Sequence, residues 1–218
     1  MKTGVVGSGD DCISFANTLQ GGGHDVVMFL RADVRSDIKI HADILRVNSS
    51  EDLALAMESK RVIWLIEKDE ARKTIVQELA RFLSVSDIVI DAVPSVYNYT
   101  MRRYEELQAL QIDLLDASFI RNPKSNDTKP VLVVGGNKFA FNYCAPMFAN
   151  LVGEEKYLYG GTGGAGHFAD TIYHAIIDGL VTSRIAAAEM MHLTGALIYA
   201  EKILEHLEKN NFLPQFDY

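Results

Sequence analysis

The sequence has few cysteines, no excess of basic residues and no long apolar run at its start. Cys12 and Cys144 are the only cysteines among 218 residues, which excludes a disulfide framework or four-thiolate zinc site and fits a reducing compartment. With 21 basic against 29 acidic residues, the net charge of −8 argues against nucleic acid or an anionic membrane surface as a partner. The start, MKTGVVGSGDD, has one lysine and no small-residue cleavage site, so we expect no signal peptide and a cytoplasmic location.

The first three quarters of the chain alternate short β-branched runs with amphipathic stretches. The predicted strands are 3–7, 24–30, 61–67, 87–93, 111–117 and 130–136, and the predicted helices are 10–20, 71–83, 100–110 and 138–152. Strands that alternate with helices indicate an α/β fold with a doubly wound, mainly parallel sheet of the Rossmann type, covered on both faces. We assign this domain to residues 1–162.

Residues 163–218 have a purely helical pattern. From His167 to about Leu193 only Gly179 interrupts it, and apolar residues occur around most of the circumference. A helix that is apolar on most faces must be covered by other parts of a protein. We predict a long helix, a break near Gly195 and a second helix at 196–209. Either the nucleotide-binding domain or a second subunit must cover their apolar surface, and we favour a second subunit in a homodimer.

Residues 7–12, GSGDDC, lie between the first strand and the first helix, where the dinucleotide fingerprint G-x-G-x-x-G belongs. Gly7 permits the tight turn, Gly9 allows close approach to a diphosphate, and the helix N-terminus supplies amide donors. Cys12 replaces the third glycine, and Asp10 and Asp11 suit a helix N-terminus but would oppose a phosphate electrostatically. The turn predicts dinucleotide binding, with an ordinary strand-turn-helix as the alternative.

The end of the second predicted strand distinguishes the two dinucleotides. An acid there would bind the ribose hydroxyls of NAD, whereas Leu30-Arg31 offers a guanidinium suited to the 2′-phosphate of NADP, and Arg35 follows closely. We therefore predict NADP, with a solvated Arg31 as the alternative. The predicted cofactor-binding residues are Gly7, Ser8, Gly9, Asp10, Arg31, Ala32, Val93 and Pro94.

The chain resembles the nucleotide-binding half of 6-phosphogluconate dehydrogenases and β-hydroxyacid dehydrogenases. The resemblance covers nearly all of the chain and rests on the opening turn, on 87–118, on 133–141 and above all on GGAGHFADTIYHAIIDG at 163–179. It implies, at this last point, a glycine-histidine turn that leads into a long helix carrying a catalytic lysine. The family's known chemistry then supplies expectations for individual positions.

The residues at those positions differ from the family pattern. Asp170 replaces the lysine, His174 the neighbouring asparagine and Ile177 a later glutamate. Residues 120–122 replace the Ser-Gly-Gly segment that clasps the substrate, and Pro94 replaces the asparagine of a Gly-Gly-Asn loop. We infer that 6-phosphogluconate is not the substrate. The substrate-side candidates are Ser118, Ile120, Arg121 and Asn122.

Asp170 has three alternative interpretations. Imine reductases are similar in fold and can carry an aspartate here, so Asp170 could donate a proton while NADPH donates a hydride, with Tyr173 and His174 as alternative proton carriers. A helical stripe of His167, Asp170, His174 and Asp178 could bind a metal, but its spacing is not that of a recognised site, and we predict none. Finally, Asp170 could pair with His174 at a dimer seam in a non-catalytic relative.

We predict an NADP-dependent oxidoreductase that reduces a small C=N or C=O substrate, or oxidises the corresponding hydroxyacid. The predicted catalytic residues are Asp170, Tyr173 and His174. The glycine-rich turn at 160–166 supports an enzyme, because such a turn costs backbone entropy unless something must approach it closely. The alternative is a non-catalytic protein for dinucleotide binding or interaction.

Overall fold

The structure is a computed structural model, and it describes residues 1–31, 37–121 and 129–193 together with Lys202, His206 and Lys209. The strands are Lys2–Gly7 (β1), Asp25–Leu30 (β2), Leu45–Val47 (β3), Val62–Ile66 (β4), Ile88–Asp91 (β5), Asp113–Ile120 (β6), Val131–Gly136 (β7) and Tyr157–Gly161 (β8). The helices are Gly9–Gly21 (α1), Ser50–Leu55 (α2), Asp69–Leu79 (α3), Tyr97–Gln108 (α4), Lys138–Val152 (α5) and Ala165–Leu193 (α6).

The strands form one sheet in the order β3-β2-β1-β4-β5-β6-β7-β8. Strands β1 to β6 are parallel to one another, whereas β7 runs antiparallel to β6, and β8 is parallel to β7. The chain order reverses between β1 and β4. In an open α/β sheet, the crevice at the carboxyl ends of two such strands is the usual ligand site.

Two hydrophobic layers cover the sheet. Val5 of β1 packs in a layer that contains α1 and α5, while the next residue, Val6, packs in a layer that contains α2, α3 and α4. All five residues of β4 are buried, as expected for a strand covered on both faces. The doubly wound, mainly parallel α/β fold predicted from the sequence is confirmed.

Three short elements have no clear signal in the sequence. Strand β3 contains only three residues, of which Leu45 and Arg46 are exposed, so it shows no alternation. Helix α2 has six residues, and β8 ends in two glycines at an irregular register. In contrast, α5 occupies the range predicted for it and accommodates Pro146.

Contacts divide the chain into two units, one of residues 1–121 and 129–170 and one of 122–128 and 171–218. The domain boundary at residue 162 stays a prediction. The long helix predicted from His167 is observed as α6. The predicted break at Gly195 lies outside the described residues, and so does the helix at 196–209 except for three helical residues within it.

No helix among the described residues combines the length and apolar character needed to cross a bilayer.

Candidate functional site

The turn after β1 has the backbone that a dinucleotide site requires. A Cβ on Gly7 would lie 2.0 Å from the carbonyl oxygen of Ile66, so only glycine allows β1 and β4 to pack this closely. Gly9 has φ +76°, and the space beside it is open. Ser8 is the N-cap residue of α1 and has an extended backbone. The start of α1 therefore borders open space beside the turn, and a helix N-terminus is a favourable position for a phosphate.

A cavity of about 450 Å³ lies at this turn. Its residues come from the loops after β1, β4 and β5 and are Ser8, Gly9, Asp10, Asp11, Ile66, Glu67, Lys68 and Val93. It therefore occupies the point of the sheet where the strand order reverses, and we call it the switch-point crevice. Its backbone fits a dinucleotide diphosphate, and it brings together four of the residues predicted to bind the cofactor.

Glu67 is a residue of this crevice that the sequence patterns did not indicate. The Ser8 hydroxyl donates a hydrogen bond to Glu67 Oε2, and the Lys68 amide donates one to Oε1. Burial, together with the charge of Glu67, raises the pKa of Cys12 to about 12. Glu67 belongs to no motif, and its only sequence signal is its position directly after the fully buried β4.

Arg31 lies beside the turn, at the end of β2. Its amide donates to the carbonyl of Gly7 at 2.9 Å, which fixes its backbone next to the dinucleotide turn. Its Nη2 lies 3.8 Å from Glu78 Oε1 on α3, while Nη1 is buried and has no hydrogen-bond partner among the described residues. The guanidinium therefore retains a donor for a further acceptor. Ala32 and Arg35 lie outside the described residues.

A second cavity, of about 380 Å³, lies between α1, α5 and the loops after β5 and β6. We call it the apolar cavity, because hydrophobic side chains dominate its lining. The lining residues are Asp11, Ser14, Phe15, Thr18, Ile66, Ala92, Val93, Pro94, Phe119, Arg121, Pro130, Leu151 and Val152. The structure thus brings the substrate-side candidate Arg121 together with Val93 and Pro94, which were predicted to bind the cofactor.

Two further substrate-side candidates among the described residues, Ser118 and Ile120, do not line this cavity. Ser118 is fully buried in β6, and its hydroxyl has no hydrogen-bond partner among the described residues. Ile120 is half-buried at the end of the same strand. Asn122 lies outside the described residues. Of the predicted substrate clasp, Arg121 is therefore the described residue that can contact a ligand in the apolar cavity.

The glycine-rich turn before α6 packs against the protein itself. A Cβ on Gly163 would lie 2.6 Å from the ring of Tyr104, and one on Gly164 would lie 2.5 Å from the ring of Tyr97. A Cβ on Gly166 would lie 2.1 Å from the carbonyl oxygen of Asp116. Helix α4 and strand β6 therefore account for these glycines, which do not by themselves indicate a ligand.

His167 is part of the same internal packing. The Asp116 carboxylate accepts hydrogen bonds from the amides of Gly164 at 2.7 Å and His167 at 2.8 Å. The imidazole lies between Thr100 Oγ1 at 2.8 Å and the carbonyl oxygen of Asp91 at 3.1 Å, and the residue is only 1% exposed. Among the described residues no group of histidine, cysteine and acidic side chains could hold a metal. His167 therefore anchors the start of α6.

A buried ionic cluster supports the loops that line both cavities. Asp91 lies 3.1 Å from Arg72 Nη1 and 2.9 Å from Arg103 Nη2. Arg72 also donates to the carbonyl oxygens of Glu67, at 3.0 Å, and Val93, at 2.8 Å. One guanidinium thus joins the loop after β4 to the loop after β5, which fixes the walls of the switch-point crevice.

The three predicted catalytic residues lie along α6. Asp170 is half-buried and is the last residue of the first unit. Tyr173 is half-buried and His174 exposed in the second unit, and their rings make an edge contact with centroids 5.5 Å apart. None of the three is among the residues that line the two described cavities. Their roles in catalysis stay predictions.

Residues 2–161 match the family described as the NAD binding domain of 6-phosphogluconate dehydrogenase. The chain is 26% identical to Bacillus subtilis YqeC over 184 residues, which is 84% of this chain and 62% of that protein. It is 30% identical to the decarboxylating 6-phosphogluconate dehydrogenase of Drosophila melanogaster over 138 residues, which is 61% of this chain and 29% of that enzyme. The chain thus spans less than two thirds of either relative.

Among solved structures, an imine reductase from Myxococcus stipitatus in complex with NAD+ has a similar fold. The TM-score is 0.78 at 14% sequence identity, over 96% of this chain and 72% of that one. The family match covers more than half of the chain, and the sheet order and the turn after β1 agree with it. The chain therefore belongs to the family of the NAD-binding domain of 6-phosphogluconate dehydrogenase, as its sequence motifs predicted.

Proposed function

We propose that this chain is an NADP-dependent oxidoreductase whose dinucleotide lies in the switch-point crevice. The observation that carries the proposal is the turn at 7–9, where Gly9 and the start of α1 border an open crevice beside β4. A diphosphate placed there is stabilised by the amides and the dipole at the helix N-terminus. The cofactor, when bound, supplies or accepts a hydride.

The choice of NADP rests on Arg31. Its amide is hydrogen-bonded to the carbonyl of Gly7 in the dinucleotide turn, and its Nη1 has no hydrogen-bond partner among the described residues, which supports the guanidinium as a partner for a phosphate. A charge-assisted contact to a 2′-phosphate is worth about 1.5–3 kcal/mol. NAD lacks this phosphate and gains nothing from the arginine.

Titration of the purified chain with NADPH and NADH tests this proposal. We expect tighter binding of NADPH, and we expect Arg31→Ala to weaken NADPH by about tenfold or more while leaving NADH unchanged. Arg81→Ala is the control, because Arg81 is an exposed arginine that follows α3. Equal affinities for the two dinucleotides in the unmodified protein would contradict the choice of NADP.

For the chemical step, we propose reduction of a small C=N or C=O substrate, or oxidation of the corresponding hydroxyacid. The apolar cavity shares Asp11, Ile66 and Val93 with the crevice, so a substrate in it would border the dinucleotide. Arg121 supplies a cation at its edge. Asp170 is the proposed proton donor because the resemblance puts it at the family's acid/base position, with Tyr173 and His174 as alternatives. This assignment rests on the resemblance alone, since none of the three lines either described cavity.

A specific observation favours a second candidate, a non-catalytic relative. The glycines at 163–166 are accounted for by internal contacts, and carboxylates line the crevice where phosphates would bind. Both features weaken the case for turnover without affecting the fold. A panel of imines, ketones and hydroxyacids tested with NADPH or NADP+ distinguishes the two, because only the enzyme changes the absorbance of the nicotinamide.

We further propose that a second copy of the chain covers α6. Phe168, Ile172, Ile176 and Ile185 are between 44% and 56% exposed in the single chain, and all lie on this helix. Burial of a fully exposed side chain of this size is worth about 1.5–3 kcal/mol, and these residues have about half of that surface left to bury. A homodimer is the simplest assembly that covers them, since both copies present the same surface.

A further inference from the structure

The switch-point crevice is crossed by a hydrogen bond. Ser8 belongs to the loop after β1 and Glu67 to the loop after β4, yet the serine hydroxyl donates directly to the glutamate carboxylate. The backbone of Glu67 is also held, because its carbonyl oxygen accepts from Arg72 Nε at 3.0 Å. The carboxylate is therefore fixed beside the turn where a diphosphate would approach.

The charges that line the crevice reinforce this effect. Asp10 and Asp11 lie in the first turn of α1 and line the crevice together with Glu67. Lys68 adds a positive charge to the same lining. The amides of the helix N-terminus attract a diphosphate, whereas these carboxylates repel it. Glu67 differs from the two aspartates, because it is half-buried and hydrogen-bonded while they are exposed. It is thus screened least by solvent.

We propose, on the basis that the crevice binds a dinucleotide as proposed above, that Glu67 limits the affinity of this site. Its carboxylate occupies the diphosphate side of the crevice and must separate from Ser8 or be neutralised before a dinucleotide can bind tightly. Because NADPH and NADH share the diphosphate, Glu67 lowers the affinity for both by the same factor. Glu67 thus limits how tightly either dinucleotide binds, whereas Arg31 determines the preference for NADPH over NADH.

The test is a set of dinucleotide affinities for three glutamate variants. Glu67→Gln removes the charge but can still accept from Ser8, whereas Glu67→Ala removes both the charge and the hydrogen bond. Glu58→Gln is the matched control, because Glu58 is exposed and precedes β4, whereas Glu67 follows the carboxyl end of that strand. Dissociation constants for NADPH and NADH are measured by fluorescence titration of each full-length protein, with a thermal melt to verify folding.

We expect Glu67→Gln to bind both dinucleotides about tenfold more tightly than the unmodified protein, since a unit charge is removed close to a diphosphate in a partly buried site. Glu58→Gln should bind as the unmodified protein does. A further gain in Glu67→Ala would measure the part of the effect that comes from the hydrogen bond across the crevice.

Unchanged affinities in both Glu67 variants, with measurable binding by the unmodified protein, would overturn this role of Glu67 and leave the proposed function intact. A gain for NADPH alone would also overturn it, because the diphosphate is common to both dinucleotides. Failure of every folded variant to bind either dinucleotide would overturn both proposals together.

Discussion

At the residue scale, glycines that occur in similar sequence patterns are required for different structural reasons. Gly9 requires glycine because its φ is positive, and it borders open space that a ligand can enter. Gly163 and Gly166 require glycine because a tyrosine ring and a backbone carbonyl occupy the space of a side chain. A glycine motif therefore indicates close approach, and only the surrounding atoms identify what approaches.

Asp170 allows a prediction about catalysis at the same scale. If Asp170 donates the proton, Asp170→Asn should lower turnover by about 10²–10⁴-fold, because general acid catalysis typically contributes this much. The affinity for NADPH should stay close to that of the unmodified protein. Initial rates and dissociation constants, measured once a substrate is found in the imine, ketone and hydroxyacid panel, check both parts.

The control is Asp178→Asn, which makes the same change at an exposed position of α6. It should retain the full rate. Full activity of Asp170→Asn would show that Asp170 is not the proton donor, and Tyr173, whose ring contacts His174, would be the next candidate. A loss of NADPH affinity in step with turnover would instead indicate a structural role for Asp170.

At the element scale, the start of α6 is fixed to the sheet by buried polar groups. Asp116 of β6 accepts from two amides at the helix N-terminus, and such contacts satisfy donors that a helix cannot satisfy internally. The ring of His167 adds hydrogen bonds to Thr100 of α4 and to the backbone at the end of β5. The first turn of α6 is therefore packed against α4, β5 and β6.

This packing predicts a large effect of a small substitution. Gly166→Ala should lower the free energy of unfolding by about 1–3 kcal/mol or more, because the new methyl group would overlap the carbonyl of Asp116 and force the helix away from β6. Gly21→Ala is the matched control at the last residue of α1, where nothing lies within 4 Å of the added carbon. Urea unfolding of the two variants measures the difference, and equal stabilities would contradict the close packing of α6 on β6.

At the scale of the whole molecule, the distribution of apolar surface differs along the chain. The sheet is covered by helices on both faces, whereas α6 leaves several large apolar side chains exposed in the single chain. Exposed apolar residues that occur singly are ordinary, but a series of them on one helix is typical of an interface. The homodimer proposed above follows from this contrast.

Sedimentation at micromolar concentration tests the homodimer. We expect a dimer mass for the unmodified chain and a shift toward monomer for Ile176→Glu, which places a charge on the exposed apolar surface of α6. Leu55→Glu is the control, since Leu55 is 75% exposed on α2 and should not affect assembly. A monomer mass for the unmodified chain would refute the proposal.

The sequence alone was sufficient for the features that depend on neighbouring residues. The periodicity of apolar positions located most strands and helices, and the spacing of Gly7 and Gly9 after a β-branched run identified the dinucleotide turn, because both signals are carried by short stretches of chain. Position relative to a predicted strand also pointed to Arg31, whose role in binding NADP stays a prediction.

Only the tertiary structure decided the features that depend on which strands become neighbours. The contact of Ser8 with Glu67 joins residues 59 positions apart, and it exists because β1 and β4 are adjacent in the sheet. The same holds for Tyr104 against Gly163 and for the reversed direction of β7 beside β6. Such contacts follow from strand order and direction, which are set by packing of the whole core and leave no periodic trace in the sequence.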